Sequence, residues 1–317
     1  MNPRTTALLA GVLLVLGGLA FFLDQRNEES KAPSTDRLFP EATADAIDAI
    51  DLKKQGIETK MEKQNGTWIV LTEGGHPAEA KAVQDILADV DKLTNSELVS
   101  TNPANHEVYE VGETGVTVTF AKDGKDVGEF VVGKPGPDFN SCYIRPTDGD
   151  DVYRVPTYLR LKVDRGSRGW RNKSILDIPK DDIVFFSAAE GDTVNRFERS
   201  ATGWRSTEPF QGNVVDHKVM DLVLDTLAKI VASGFADSID VATAGLESTQ
   251  KFLTIGTADG KSRVISIGNE TPARQTYTRI EGDDQIYLVP LGLWNTVFRK
   301  AEEIALPDEE PTGEESR

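Results

Sequence analysis

The first apolar stretch of the chain, residues 5–23 (TTALLAGVLLVLGGLAFFL), carries no charge and gives way to a polar run at Asp24. As a helix it would reach about 28 Å, close to the hydrocarbon thickness of a bilayer, so the pattern predicts a membrane span. Leu19, Phe21, Phe22 and Leu23 crowd the place where signal cleavage needs small residues, and no Cys follows; an uncleaved anchor over 1–23 is therefore expected. Residues 24–44, polar with two prolines at Pro33 and Pro40, read as a tether. From residue 45 the pattern changes to short alternating runs broken by turn signals such as Asn65-Gly66 and Thr202-Gly203, which predict strands and hairpins. Two stretches switch to a period of threes and fours. Ala80, Val83, Ile86, Leu87, Val90 and Leu93 predict one amphipathic helix, with Pro77 in its first turn; Val219, Leu222, Val223, Leu227 and Ile230 predict another, behind an Asp216 cap.

Self-comparison orders these elements. The segment CYIRPTDGDDVYRVP at 142–156 aligns with TYTRIEGDDQIYLVP at 276–290 at a constant offset of 134: Tyr143 with Tyr277, Arg145 with Arg279, Tyr153 with Tyr287 and Pro156 with Pro290. Upstream, Trp68 pairs with Trp204, Asp123-Gly124-Lys125 with Asp259-Gly260-Lys261, and Gly133 with Gly268. Each copy runs through a hairpin, a helix, four short strands (115–121, 127–133, 141–146 and 151–155 in the first) and a short apolar helix at 157–163 or 291–300. The expected organisation is a first repeat over 45–164, a linker over 165–180, a second repeat over 181–300 and an acidic solvated tail over 301–317. Strand-rich copies that each pack one main helix define the fold class as α+β.

Charge sharpens the picture. Lys and Arg number 35 against 52 Asp and Glu, a net charge of −17, and a nucleic-acid binder needs the opposite balance; no nucleic-acid partner is expected. Arg4 and the amino terminus precede the span while Asp24, Arg26, Glu28 and Glu29 follow it, which predicts an extracytoplasmic body, in a bacterium one tethered to the inner membrane and facing the periplasm or outer surface. One Cys excludes a disulfide framework and a cysteine-rich zinc module.

The N-terminal span, the GTW segment, VVGKPGPDFNSCYIRP, DDVYRVP and the run WRNKSILDIPKDDIVFF at 170–186 together resemble the domain of unknown function family 4340 (DUF4340) over nearly the whole chain past the anchor. The most specific piece is the Trp170, Lys173, Ser174, Leu176 linker. The resemblance implies a bacterial membrane-anchored protein associated with accessory parts of gliding-motility-type ABC exporters, and no catalytic residues.

The residues themselves offer few sites. His76, His106 and His217 have no metal-ligand spacing and read as surface or capping groups. Cys142 has Thr276 at its repeat position, so a buried small side chain explains it better than a nucleophile. Gly133-Lys134-Pro135-Gly136 lacks the ending of a phosphate loop and reads as a turn, and Asp150-Asp151 and Asp283-Asp284 read as solvated hairpin turns without calcium-loop spacing. Tyr143 with Arg145, and Tyr277 with Arg279, each place an aromatic ring beside a guanidinium on one strand face. These four are the candidate partner-binding residues, able to receive a carboxylate, against a cross-strand structural role. No catalytic, metal or cofactor site is expected. The leading expectation is a non-enzymatic, membrane-tethered accessory module that docks onto a membrane complex such as an ABC exporter. A ligand- or glycan-binding protein would instead show a deep pocket lined by Trp68, Trp204 or Trp170, and a hydrolase a clustered nucleophile and base or a carboxylate pair.

Overall fold

The computed structural model describes residues 36–72, 74–95, 97–210 and 215–305. The predicted span at 5–23 and most of the acidic tail lie outside them; among the described residues no helix is long and apolar enough to cross a membrane. The chain divides into two compact units, 1–171 and 172–317. Each is a strand-rich α+β body built on one large antiparallel sheet, with a two-stranded sheet added in the second.

In the first unit, β1 (Ala49–Lys54), β2 (Ile57–Gln64), β3 (Thr67–Val70) and the two-residue β4 (His76–Pro77) lead to helix α1 (Ala80–Leu87). Then come β5 (Leu98–Ser100), β6 (Val116–Lys122), β7 (Lys125–Pro135), β8 (Cys142–Pro146), β9 (Val152–Val155) and the short α2 (Leu159–Val163). The sheet order is β4-β3-β2-β1-β6-β7-β8-β9-β5. Asn65 and Gly66 both take positive φ between β2 and β3, the geometry for which that pair was read as a hairpin signal. Alternation then sends Ile50, Leu52, Met61, Trp68, Val118, Phe120, Phe130 and Ile144 to one face, where Val83 and Ile86 of α1 cover them.

The second unit opens with β10 (Ser174–Asp177), then β11 (Ile183–Glu190), β12 (Thr193–Ser200), β13 (Gly203–Glu208) and α3 (His217–Ala228). After these follow β14 (Lys229–Val231), β15 (Gly234–Phe235), β16 (Lys251–Thr257), β17 (Ser262–Glu270), β18 (Gln275–Ile280), β19 (Tyr287–Pro290), α4 (Leu291–Val297) and α5 (Ala301–Ile304). Its main sheet runs β13-β12-β11-β16-β17-β18-β19-β15. Apart from β4, that is the order of the first sheet strand for strand. Registers agree too: Lys63 faces Trp68 as Arg199 faces Trp204, and Val131 faces Arg145 as Ser266 faces Arg279. Asp216 caps α3 as expected, accepting from the backbone N–H of Lys218 at 2.8 Å and Val219 at 3.2 Å.

Five expectations about boundaries change. Pro77 sits in β4, not in the first turn of α1, because its carbonyl-side neighbours extend the hairpin before the helix begins at Ala80. Ile230 lies in β14, since α3 ends at Ala228. The polar tether over 24–44 is part of the first core from Leu38 onward: Ala42 is fully buried, and Leu38 and Phe39 pack beside it, Phe39 stacking on Phe130 at 5.0 Å. The expected linker 165–180 is divided, Trp170 filling the first core and β10 pairing with β14 in the second unit. Likewise the start of the tail folds: Ala301, Ile304 and Ala305 are buried, and Ala305 bridges to Val215. In the tether, the linker and the tail, a few apolar side chains inside a polar run have a core to enter, and burying each contributes about 1–3 kcal/mol.

Candidate functional site

The two Tyr-Arg pairs stand where strand alternation puts them. In β8, Cys142 and Ile144 enter the main core while Tyr143 and Arg145 face the opposite side of the sheet. That side is covered by the segment joining β5 to β6, whose Val111 packs with Val131 and Val152 against Tyr143. Tyr109 sets its ring 4.7 Å from the ring of Tyr143. Arg145 is committed to its own chain: Nε donates to the Val111 carbonyl at 3.2 Å, and Nη1 to the carbonyls of Pro146 at 3.2 Å and Gly149 at 3.0 Å. Its guanidinium pins the covering segment and the β8–β9 turn to the sheet.

The second unit repeats the layer and not the clamp. Tyr277 packs with Ala244, Leu246 and Ile286 of the equivalent covering segment. Arg279, half-buried opposite Ser266, makes no hydrogen bond or ion pair among the described residues. Sequence repetition therefore placed four equivalent residues correctly, but only Arg279 keeps a guanidinium available to a carboxylate from outside.

The repeated glycines have a shared cause. The Lys134 N–H donates to the Tyr109 carbonyl at 3.0 Å, and the Asn269 N–H to the Ala244 carbonyl at 2.8 Å, so each covering segment runs directly over its sheet. A β-carbon on Gly133 would stand 2.1 Å from the Tyr109 oxygen, and one on Gly268 2.2 Å from the Ala244 oxygen. Close backbone approach, not phosphate binding, requires a glycine at Gly133.

Other candidates are absorbed by the fold. Cys142 is fully buried, and burial pushes its thiol up to about 12, which removes it as a nucleophile at neutral pH. Its counterpart Thr276 accepts a hydrogen bond from Trp294 Nε1 at 2.7 Å. His106 Nε2 lies 2.9 Å from the Asp150 carbonyl, while His76 is in β4 and His217 opens α3. The acidic turns are tied by tyrosines: Tyr153 donates to Asp151 at 3.2 Å and Tyr287 to Asp283 at 2.8 Å. Among the described residues no three His, Cys, Asp or Glu side chains gather as a metal site. Trp68, Trp170, Trp204 and Trp294 all belong to cores, so the tryptophan-lined pocket that a glycan binder would show is absent among them.

One polar cluster escaped the sequence reading. Asp89 is buried after α1, and its carboxylate accepts from Thr157 Oγ1, Lys162 Nζ and Lys92 Nζ, the last at 2.7 Å. Burial alone would raise its pKa; the hydrogen bonds from Lys162, Lys92 and Thr157 outweigh that and hold it below the usual carboxylate range. The only sequence signal is a lysine inside the apolar run 157–163. The cluster locks α2 onto the end of α1.

Comparison with known proteins supplies a family. A family model described as "Domain of unknown function (DUF4340)" matches residues 68–249, more than half of the 317-residue chain, from the first unit into the second. Comparisons with curated proteins and with solved structures give no match.

Proposed function

This chain belongs to the DUF4340 family, and on that premise we propose that it is a single-pass, membrane-tethered extracytoplasmic accessory module, not an enzyme, that docks onto a membrane complex such as an ABC-type exporter. The tether is the uncharged run 5–23 and the docking body is a duplicated α+β scaffold. Arg279 carries the reading. It is the repeat position at which the second unit retains a guanidinium without a partner of its own, while its counterpart Arg145 is spent on three backbone carbonyls. A carboxylate on a partner protein would complete it through a charge-assisted hydrogen bond. The other chemistry-bearing groups support a scaffold over a reaction centre: Cys142 is buried, and the three histidines stand on separate elements.

The test is capture of the full-length tagged protein from its own membrane, wild type against Arg279→Glu. Recovery of a transporter complex with the wild type and its loss with the variant is expected. Equal recovery by both, or loss of cellular function on joint replacement of His76, His106, His217 and Cys142 in a protein that still folds and reaches the membrane, would overturn the reading. Orientation is checked separately. Because Cys142 is buried, the label is directed to an introduced cysteine at exposed Asp148 in a Cys142→Ala background. Labelling from the extracytoplasmic side is expected, and labelling from the cytoplasmic side alone would refute the topology.

A further inference from the structure

The turn ends of the two equivalent hairpins are closed differently. In the first unit, Lys54 and Ile57 form the last pair before the turn, and Leu52 and Thr59 the core-facing pair behind them. Leu52 fills the end of the core at 3% exposure, and Lys54 Nζ reaches across to Asp164, just beyond α2, at 2.7 and 2.8 Å. The corresponding pairs of the second unit are Glu190 with Thr193 and Ala188 with Asn195. Alanine stands where leucine does, an acid where the lysine does, and the ion-pair latch is gone. The space left is a cleft of about 470 Å³, bounded by the hairpin, Pro209 and the segment from Phe298 to Glu302. That is within the size range of small-molecule sites.

The chemistry of the wall selects a ligand. Glu190 and Glu302 contribute two carboxylates, and Lys300 one ammonium; neither Lys300 nor Glu302 is paired among the described residues. Glu190 is held at the rim by Lys251 at 3.1 Å, whose Nζ also lies 4.5 Å from the centre of the Phe298 ring. Asn195, nearly buried, already donates one amide N–H to the Arg299 carbonyl at 3.1 Å, which leaves its oxygen as an acceptor. With Glu190 already paired to Lys251, the open polar groups around a partly apolar floor of Ala188 and Phe298 are the Glu302 carboxylate, the Asn195 amide oxygen and the Lys300 ammonium. An ammonium is thus favoured near Glu302 and Asn195 and a carboxylate near Lys300.

We propose that this cleft binds a small zwitterion, an α-amino acid or a short peptide with free ends, and that the first unit has closed the equivalent site. This binding is separate from docking through Arg279 and can fail or succeed without it.

The probe is the dipeptide alanyl-leucine, titrated calorimetrically into the full-length protein in detergent, beside its N-acetylated and C-amidated forms. Saturable binding of the free dipeptide is expected, with each blocked form at least about tenfold weaker. Ala188→Leu, which rebuilds the first unit's plug, should weaken binding by about tenfold or more, and the exposed-site variants Glu302→Gln and Lys300→Gln should do so without touching the core. No saturable binding up to about 10 mM, or equal affinity for the acetylated form and for Glu302→Gln, would overturn the proposal.

Discussion

The two units share a strand order and are held shut by different chemistry. The first is latched by charge: Lys54 to Asp164, Lys162 and Lys92 to Asp89, Arg160 to Asp164 at 3.2 Å, and Arg145 to three carbonyls of its own loops. The second is closed by packing. Trp294 and Val297 of α4 meet Leu224 and Leu227 of α3 in one core, Phe298 stands where Asp164 does, and Arg279 and Lys300 are left over. A common scaffold thus fixes where strands lie, while the closing groups decide which surfaces remain open. At these closing positions the first unit spends its charges on its own chain, whereas the second, closed by aromatic rings, keeps the Arg279 guanidinium and the cleft beside Ala188.

The largest effect should come from what the units have in common. Gly133→Ala and Gly268→Ala each force a β-carbon against a backbone oxygen, which must displace a covering segment with no flexible side chain to yield. A loss above about 3 kcal/mol is expected at each, beyond the usual range for overpacking because the contact is with backbone, measured by urea denaturation. Unequal costs would show that the two covering layers are not equivalent. Next is Leu52→Ala, which gives the first unit the alanine of the second. Leu52 is 3% exposed, so about 3 kcal/mol should be lost and a cavity left. Amide hydrogen exchange should place the destabilisation in the first unit alone; protection lost equally from both units would contradict the division.

Much of this frame was legible in the chain. Asn65-Gly66, the Asp216 cap and the alternation in 115–121 and 142–155 are local signals, and local signals resolve hairpins and helix starts. The repeat itself was readable because Trp68, Gly133, Tyr143 and their counterparts fill the same structural roles. What could not be read was closure. Lys54 and Asp164 are 110 residues apart, and nothing near either one marks the other. Leu38, Phe39 and Ala42 look like scattered apolar residues in a tether until a core exists to receive them. Tyr143-Arg145 and Tyr277-Arg279 are alike as sequence, and only Val111, Pro146 and Gly149 show that one arginine is occupied.

The charged latch at Asp89 makes a prediction in pH. Its folded pKa is lowered, so the stability it contributes is fully present above the unfolded value of about 4 and is lost as pH falls through the folded one. Asp89→Asn should lose about 2 kcal/mol at pH 7, by leaving Lys162 and Lys92 without their anion. As pH falls below about 4 the wild type should converge on the variant. Denaturation midpoints of both proteins across this range check it; a constant gap would mean that Asp89 is not the titrating group.

The smallest effect separates the two arginines. Arg145→Ala removes one guanidinium from three carbonyls of its own chain and should cost about 1 kcal/mol, with faster hydrogen exchange in the covering segment around Val111. Arg279→Ala removes a group that holds nothing within its unit, and thermal unfolding should move by less than about 0.5 kcal/mol equivalent. Their functional order is the reverse. Because, of these two arginines, Arg279 is the one with an unused guanidinium, its replacement should reduce recovery of the membrane partner while the fold is unchanged, and Arg145→Ala should reduce recovery only as far as it loosens the first unit. If Arg279→Ala destabilised the protein as much as Arg145→Ala, the second arginine would be a structural clamp like the first. The contrast between an occupied and an open repeat would then fall with it.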